Sequence, residues 1–83
     1  MNIRFHPHAL ERMEERDAEK KEVIETIESG EQFPAKFGRT GFRRNFSYAG
    51  TREGKEYRTK QLEVFAVEED SGWLILTVIT KFF

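Results

Sequence analysis

Trp73-Leu74-Ile75-Leu76-Thr77-Val78-Ile79-Thr80 is the stretch that decides the fold. It is rich in aliphatic and β-branched residues and carries no charge, so it reads as part of a strand over residues 73–82. Apart from the threonines, both of its faces are apolar. Such a strand belongs in the middle of a sheet with helices on one face. Upstream, residues 61–68 form a second clear strand, joined to it by the tight turn Glu69-Asp70-Ser71-Gly72. Residues 41–48 alternate, with Phe42, Arg44, Phe46 and Tyr48 on one side and Arg43, Asn45 and Ser47 on the other. Residues 32–37 give a first short strand, which Pro34 confines to an edge. Residues 49–56, carrying Gly50 and Gly54, read as a mobile basic loop.

Two helices precede these strands. His6-Pro7-His8 opens the first, with Pro7 where its missing N–H matters least. Ala9, Leu10 and Met13 share the arc that should face the core, and Glu11, Glu14 and Glu15 lie opposite. Asp17 is the expected N-cap of a second helix over about residues 18–29, with Val23, Ile24 and Ile27 as its apolar face and Gly30 at C′. The order α-α-β-β-β-β predicts an α+β fold, two N-terminal helices packed on one face of a four-stranded antiparallel sheet. At 83 residues the chain makes a single domain.

Composition excludes several functions. Without cysteine there are no disulfides and no thiolate metal sites. No apolar run follows the first residues, and the longest apolar stretch falls far short of the roughly 20 residues that span a bilayer. A soluble, cytoplasmic protein without membrane contact is therefore expected. The net charge of -1 hides a segregation. In residues 11–31 acidic side chains outnumber basic ones by about two to one, whereas residues 36–60 carry Lys36, Arg39, Arg43, Arg44, Arg52, Lys55, Arg58 and Lys60 against only Glu53 and Glu56. Such a block attracts anions, or it is simply a solvated charged hairpin.

Three groups of residues could carry chemistry. His8, Arg12 and Arg16, spaced i, i+4 and i+8, form a stripe bordering the apolar arc. Arginines held together in this way either find Glu15 and Glu19 as neutralising partners or hold a phosphate beside His8, whose ordinary pKa of about 6.5 suits proton transfer. His6 and His8 are two apart, a spacing that does not place both on one helical face, so no metal site is expected. In the basic block, Phe37, Phe42, Phe46, Tyr48 and Tyr57 interleave with the arginines, a pattern suited to stacking bases and holding phosphates. Thr80 and Lys81 sit near the end of the last strand, where side chains can emerge into a cleft. No glycine-rich phosphate loop or nucleophile elbow is present, and no cofactor is called for.

His8-Ala9-x-x-Arg12-Met13-x-x-Arg16, followed by Glu22-Val23 and the terminal Leu76-Thr77-Val78-Ile79-Thr80, resembles the family filed as domain of unknown function 4258. That family is similar in turn to the barnase/RelE-like superfamily of small ribonucleases, many of them toxins. The resemblance implies helices on a four-stranded antiparallel sheet and a site at His8, Arg12, Arg16 and Thr80. Asp17 stands where the family more often has glycine. Two functions follow as expectations. One is a metal-independent endoribonuclease in which His8 is base or acid, Arg12 and Arg16 clamp phosphate, Thr80 positions and Lys81 donates a proton or adds a cation. Arg43 or Arg44 would be a second clamp. The other is a non-catalytic RNA-binding or protein-binding module using the basic surface of residues 36–60, with Arg43, Arg44, Tyr48 and Arg58 as the expected RNA-binding residues. A toxin would also have an acidic antitoxin-like protein partner.

Overall fold

A computed structural model describes residues 2–83. Its elements run β1 (Asn2–Phe5), α1 (Pro7–Glu15), α2 (Lys20–Ser29), β2 (Glu31–Pro34), β3 (Thr40–Arg52), β4 (Lys55–Glu69) and β5 (Gly72–Phe82). The five strands form one sheet in the order β1-β5-β4-β3-β2. All neighbours are antiparallel except β1, which lies parallel to β5 with Phe5 opposite Ile75. The expected four-stranded antiparallel sheet with both helices leading the chain is therefore corrected to a five-stranded mixed sheet whose first strand precedes the helices. Four residues are too few to establish an alternation, so Ile3 and Phe5 gave no strand signal of their own. Their pairing partner lies at the other end of the sequence.

The residues expected to form a mobile loop also belong to the sheet. β3 and β4 run on past Tyr48 to a two-residue turn at Glu53 and Gly54, both with positive φ (52° and 80°). Two such residues give a hairpin turn the twist of its flanking strands. Gly50 lies just after the register shift between Ser47 and Gly50, a bulge rather than the start of a loop.

Asp17 takes a different part from the N-cap expected of it. Its φ is 59°, and Ala18 N–H donates to the Met13 carbonyl at 2.9 Å. That bond, six residues closed back on one, ends α1 in a Schellman motif with Asp17 at the left-handed position that glycine fills best. α2 starts later, with Glu19 as N-cap and a reciprocal capping box to Glu22. Gly30 ends α2 with an extended backbone rather than a left-handed one. It is glycine because an added Cβ would stand 2.3 Å from the Thr26 carbonyl oxygen and 2.6 Å from that of Arg43.

α1 packs on β5, and α2 on β3 and β4. Ala9, Met13, Val23 and Ile27 meet Phe42, Leu62, Val64, Ala66, Ile75 and Val78 in one buried cluster. Leu10, expected inside, is exposed because the helix turns its Ala9–Met13 edge to the sheet. Inside this layer Lys60, expected on the basic surface, is buried and bonds Glu22 at 2.8 Å and the Asp17 carbonyl. Among the described residues no helix is long and apolar enough to cross a membrane.

Candidate functional site

The site residues follow from how α1 is hung on the sheet. β1 ends at Phe5, and His6 N–H donates to the Ile75 carbonyl at 2.9 Å, which anchors the start of the helix against β5. Pro7 occupies the first helical position, so His6 is the N-cap with extended backbone (φ -63°, ψ 142°) and lies outside the helix. Its Nδ1 accepts from the His8 N–H at 3.0 Å. In the neutral ring the proton then sits on Nε2, which remains available as a donor. The helical-spacing argument against pairing His6 with His8 fails for this reason, since only His8 is helical.

At this end of α1 a cavity of about 330 Å³ is lined by His6, His8, Arg39, Leu76 and Thr77. Leu76 is the extra residue of a bulge in β5, between Ile75 opposite Ala66 and Thr77 opposite Phe65. Bulges re-aim side chains beside functional sites. Arg39 comes from the turn between β2 and β3. Among the described residues no carboxylate lines this cavity, and none of His6, His8 and Arg39 enters an ion pair. Two imidazoles and a guanidinium therefore face one space with no acid to neutralise them. His6 and Arg39 were outside the set singled out from the sequence. The signal that finds His6 is Pro7, which pushes its neighbour out of the helix; nothing local identifies Arg39.

The stripe His8, Arg12, Arg16 does not converge on that cavity. At 1.5 Å per residue His8 and Arg16 stand about 12 Å apart along the axis. Arg12 bonds Glu15 at 2.9 Å, and Arg16 Nη1 donates to the Val78 carbonyl at 2.7 Å, tying the helix end to β5. Arg16 and Thr80 do meet, in a second cleft of about 310 Å³ shared with Arg52, Tyr57 and Phe82 and flanked by Glu15 and Glu53. The Thr80 hydroxyl oxygen is buried there without a hydrogen-bond partner among the described residues. Lys81 lies on the opposite sheet face, 3.4 Å from Glu63.

The basic block is dispersed in the same way. Arg43 lies on the helix-free face, bonding Glu63 at 2.6 Å and Glu31 at 2.9 Å, which holds its guanidinium more firmly protonated than usual. Burial alone would raise the Glu63 carboxyl, but Arg43 and Lys81 overcome it and keep the group below the ordinary carboxylate range. Arg44 points the other way, over the Phe46 ring at 5.2 Å, with its Nε buried and unpartnered. Tyr48 and Arg58 line a cavity of about 460 Å³ on the β3–β4 hairpin, next to the second cleft and sharing Tyr57 with it. Tyr48 packs edge-on to Phe82 at 4.9 Å, and Arg52 lies over the same ring at 4.3 Å while bonding Asp17 at 2.5 Å.

The chain thus carries an acid-free imidazole–guanidinium cavity at one end of α1 and an aromatic–arginine cleft at the other. No curated protein and no solved structure matches the sequence. A family model does match it across residues 5–80, the span that holds both ends of α1 and the strand beneath, and the protein belongs to the family described as Domain of unknown function (DUF4258).

Proposed function

We propose that the protein is a metal-independent endoribonuclease whose chemistry is carried by His6, His8 and Arg39. The supporting observation is the cavity in which these three side chains meet without a carboxylate. Cleavage of RNA by its own 2′-hydroxyl needs a base, an acid and a cation, and this set supplies all three. His8, whose ring nitrogens are free of hydrogen bonds among the described residues, takes the 2′-hydroxyl proton. The freed oxygen attacks the adjacent phosphorus. Arg39 offsets the charge that gathers on the phosphoryl oxygens. The bond to the 5′-oxygen breaks as that oxygen receives a proton from Nε2 of His6 in its imidazolium form, in which Nδ1 also carries a proton and releases the His8 N–H, leaving a 2′,3′-cyclic phosphate and a 5′-hydroxyl. In this assignment Arg12 and Arg16 hold the flanking chain or the helix itself and do not reach the reacting phosphate.

The test is incubation of single-stranded RNA with the purified protein in EDTA, beside His8→Ala and His6→Asn. Asparagine keeps the N-cap and removes only the acid–base group. Both variants should lose cleavage by about 100-fold or more while staying folded. Cleavage by His6→Asn at the wild-type rate would rule out its role.

A second reading is favoured by the cleft of Arg16, Arg52, Tyr57 and Phe82, whose mixture of rings and guanidinium groups suits an unpaired nucleotide. RNA left intact by the wild-type protein, yet bound with an affinity that falls steeply with salt, would make the protein a binding module without chemistry.

A further inference from the structure

The turn joining β2 to β3 holds a residue that the fold does not use. Phe37 is 87% exposed, far more than Leu10 or Phe83, the other large apolar side chains at the surface among the described residues. Its backbone is left-handed, with φ 62°, and so is that of Gly38, with φ 70°. Glycine is at home in that conformation and asparagine tolerates it, whereas a bulky aromatic residue there is a true outlier. The turn itself is closed by main-chain bonds, Ala35 N–H to the Arg39 carbonyl at 3.0 Å and Arg39 N–H to that of Lys36 at 3.3 Å. Those bonds do not require the phenyl ring. Phe37 therefore combines backbone strain, which works against stability, with a ring that gains nothing from burial in return.

Strain of this kind is kept where a site requires a side chain to be held out. The neighbours of Phe37 say which site. Arg39 reaches back over its ring, 6.0 Å from the centroid, and also lines the cavity of His6 and His8. A ligand that satisfies both the ring and the cavity is flat and aromatic at one end and anionic at the other. That is the chemistry of a nucleotide within a single strand, since base faces stack on aromatic side chains and phosphates take guanidinium.

We propose that Phe37 is the stacking platform for an unpaired RNA base whose phosphate occupies the cavity of His6, His8 and Arg39. The inference rests on the reading of that cavity as an RNA site, and it adds single-stranded RNA as the substrate class. Stacking replaces duplex pairing, so a base held in a helix cannot use the platform.

Phe37→Asn separates the two roles of the residue, because asparagine suits the left-handed backbone and lacks the ring. The probe is a short single-stranded 2′-O-methyl oligoribonucleotide, which has no free nucleophile and survives the assay, alongside the same chain with its bases removed. Phe37→Asn should unfold at a higher temperature than the wild type and yet bind the oligonucleotide about tenfold more weakly. Its binding of the abasic chain should be unchanged. A residue with a purely structural role cannot give this opposition of stability and affinity. Unchanged affinity for the base-bearing chain would overturn the platform, as would an equal loss for both chains or no binding by the wild type. Cleavage is read separately. Intact RNA in EDTA with the Phe37→Asn affinity loss present would sink the nuclease and leave the platform standing. His8-dependent cleavage with no effect of Phe37→Asn on binding would do the reverse.

Discussion

Single side chains divide into those the fold consumes and those it leaves free. Thr80 belongs to the first group. Its hydroxyl oxygen is buried with no partner among the described residues, and a buried unsatisfied hydroxyl costs about 1–3 kcal/mol. Thr80→Val keeps the shape and removes the polar atom, so it should raise stability by about 1 kcal/mol in a denaturant titration. Cleavage should survive the change, whereas a positioning role for the hydroxyl would abolish it. Lys60 and Arg43 are consumed as well, by Glu22 and by Glu63 and Glu31. What made them look available was a count of charges along the chain, and a linear count cannot see that strand pairing brings Arg43 opposite Glu63. His6, Arg39 and Phe37 are left over. His6 was legible once Pro7 was taken as the first helical residue, because the residue before it must then be a cap. Arg39 and Phe37 were legible only as members of the basic, aromatic block, since the nearness of Arg39 to His8 depends on a turn folding back from the far side of the sheet.

Among the elements, β1 is the one whose presence changes the site. It pairs with β5 in parallel, and Gly72 makes this possible, because a Cβ there would stand 1.6 Å from the Asn2 carbonyl oxygen. Gly72→Ala should therefore push β1 off the sheet, at a cost of about 2 kcal/mol or more. Hydrogen exchange provides the check, since the His6 N–H bonded to Ile75 should lose protection while amides at the β3–β4 pairing keep theirs. Cleavage should fall with it, because His6 is positioned by that bond. The strand–turn–strand of β4 and β5 was plain from composition, and so were the two helices, whose apolar periodicity needs no tertiary information. The helix boundary at Asp17 was misplaced for a specific reason. Aspartate favours both an N-cap and, less strongly, a left-handed C′ position, and only the Ala18–Met13 bond distinguishes them. The same ambiguity hid the long hairpin, because Gly50 and Gly54 mark a loop, a bulge or a tight turn equally well.

At the scale of the molecule, 43 × 24 × 23 Å, the charges on the helix-free face hold distant strands together. Glu63 binds Arg43 and Lys81, and Glu69 binds Arg4 on β1 at 2.7 Å, which lowers its carboxyl in turn. Both groups have lower pKa values folded than unfolded, so the unfolded chain binds protons first as acid is added. Their contribution is complete above the unfolded value of about 4.3 and is lost as pH falls through the folded values. Thermal unfolding measured from pH 7 to pH 3 should show that loss, and Glu63→Gln should flatten it. A flat profile in the wild type would contradict the pairing. The parallel seat of β1 has one more consequence, in time rather than in space. A polypeptide is made in order, so His6 and His8 are synthesised well before Leu76 and Thr77, which complete their cavity. Strand pairing across so long a separation also comes late in folding. Until β5 has paired, His6 and His8 lack the two residues that wall their space, so the cavity exists only once the two ends of the described chain have met.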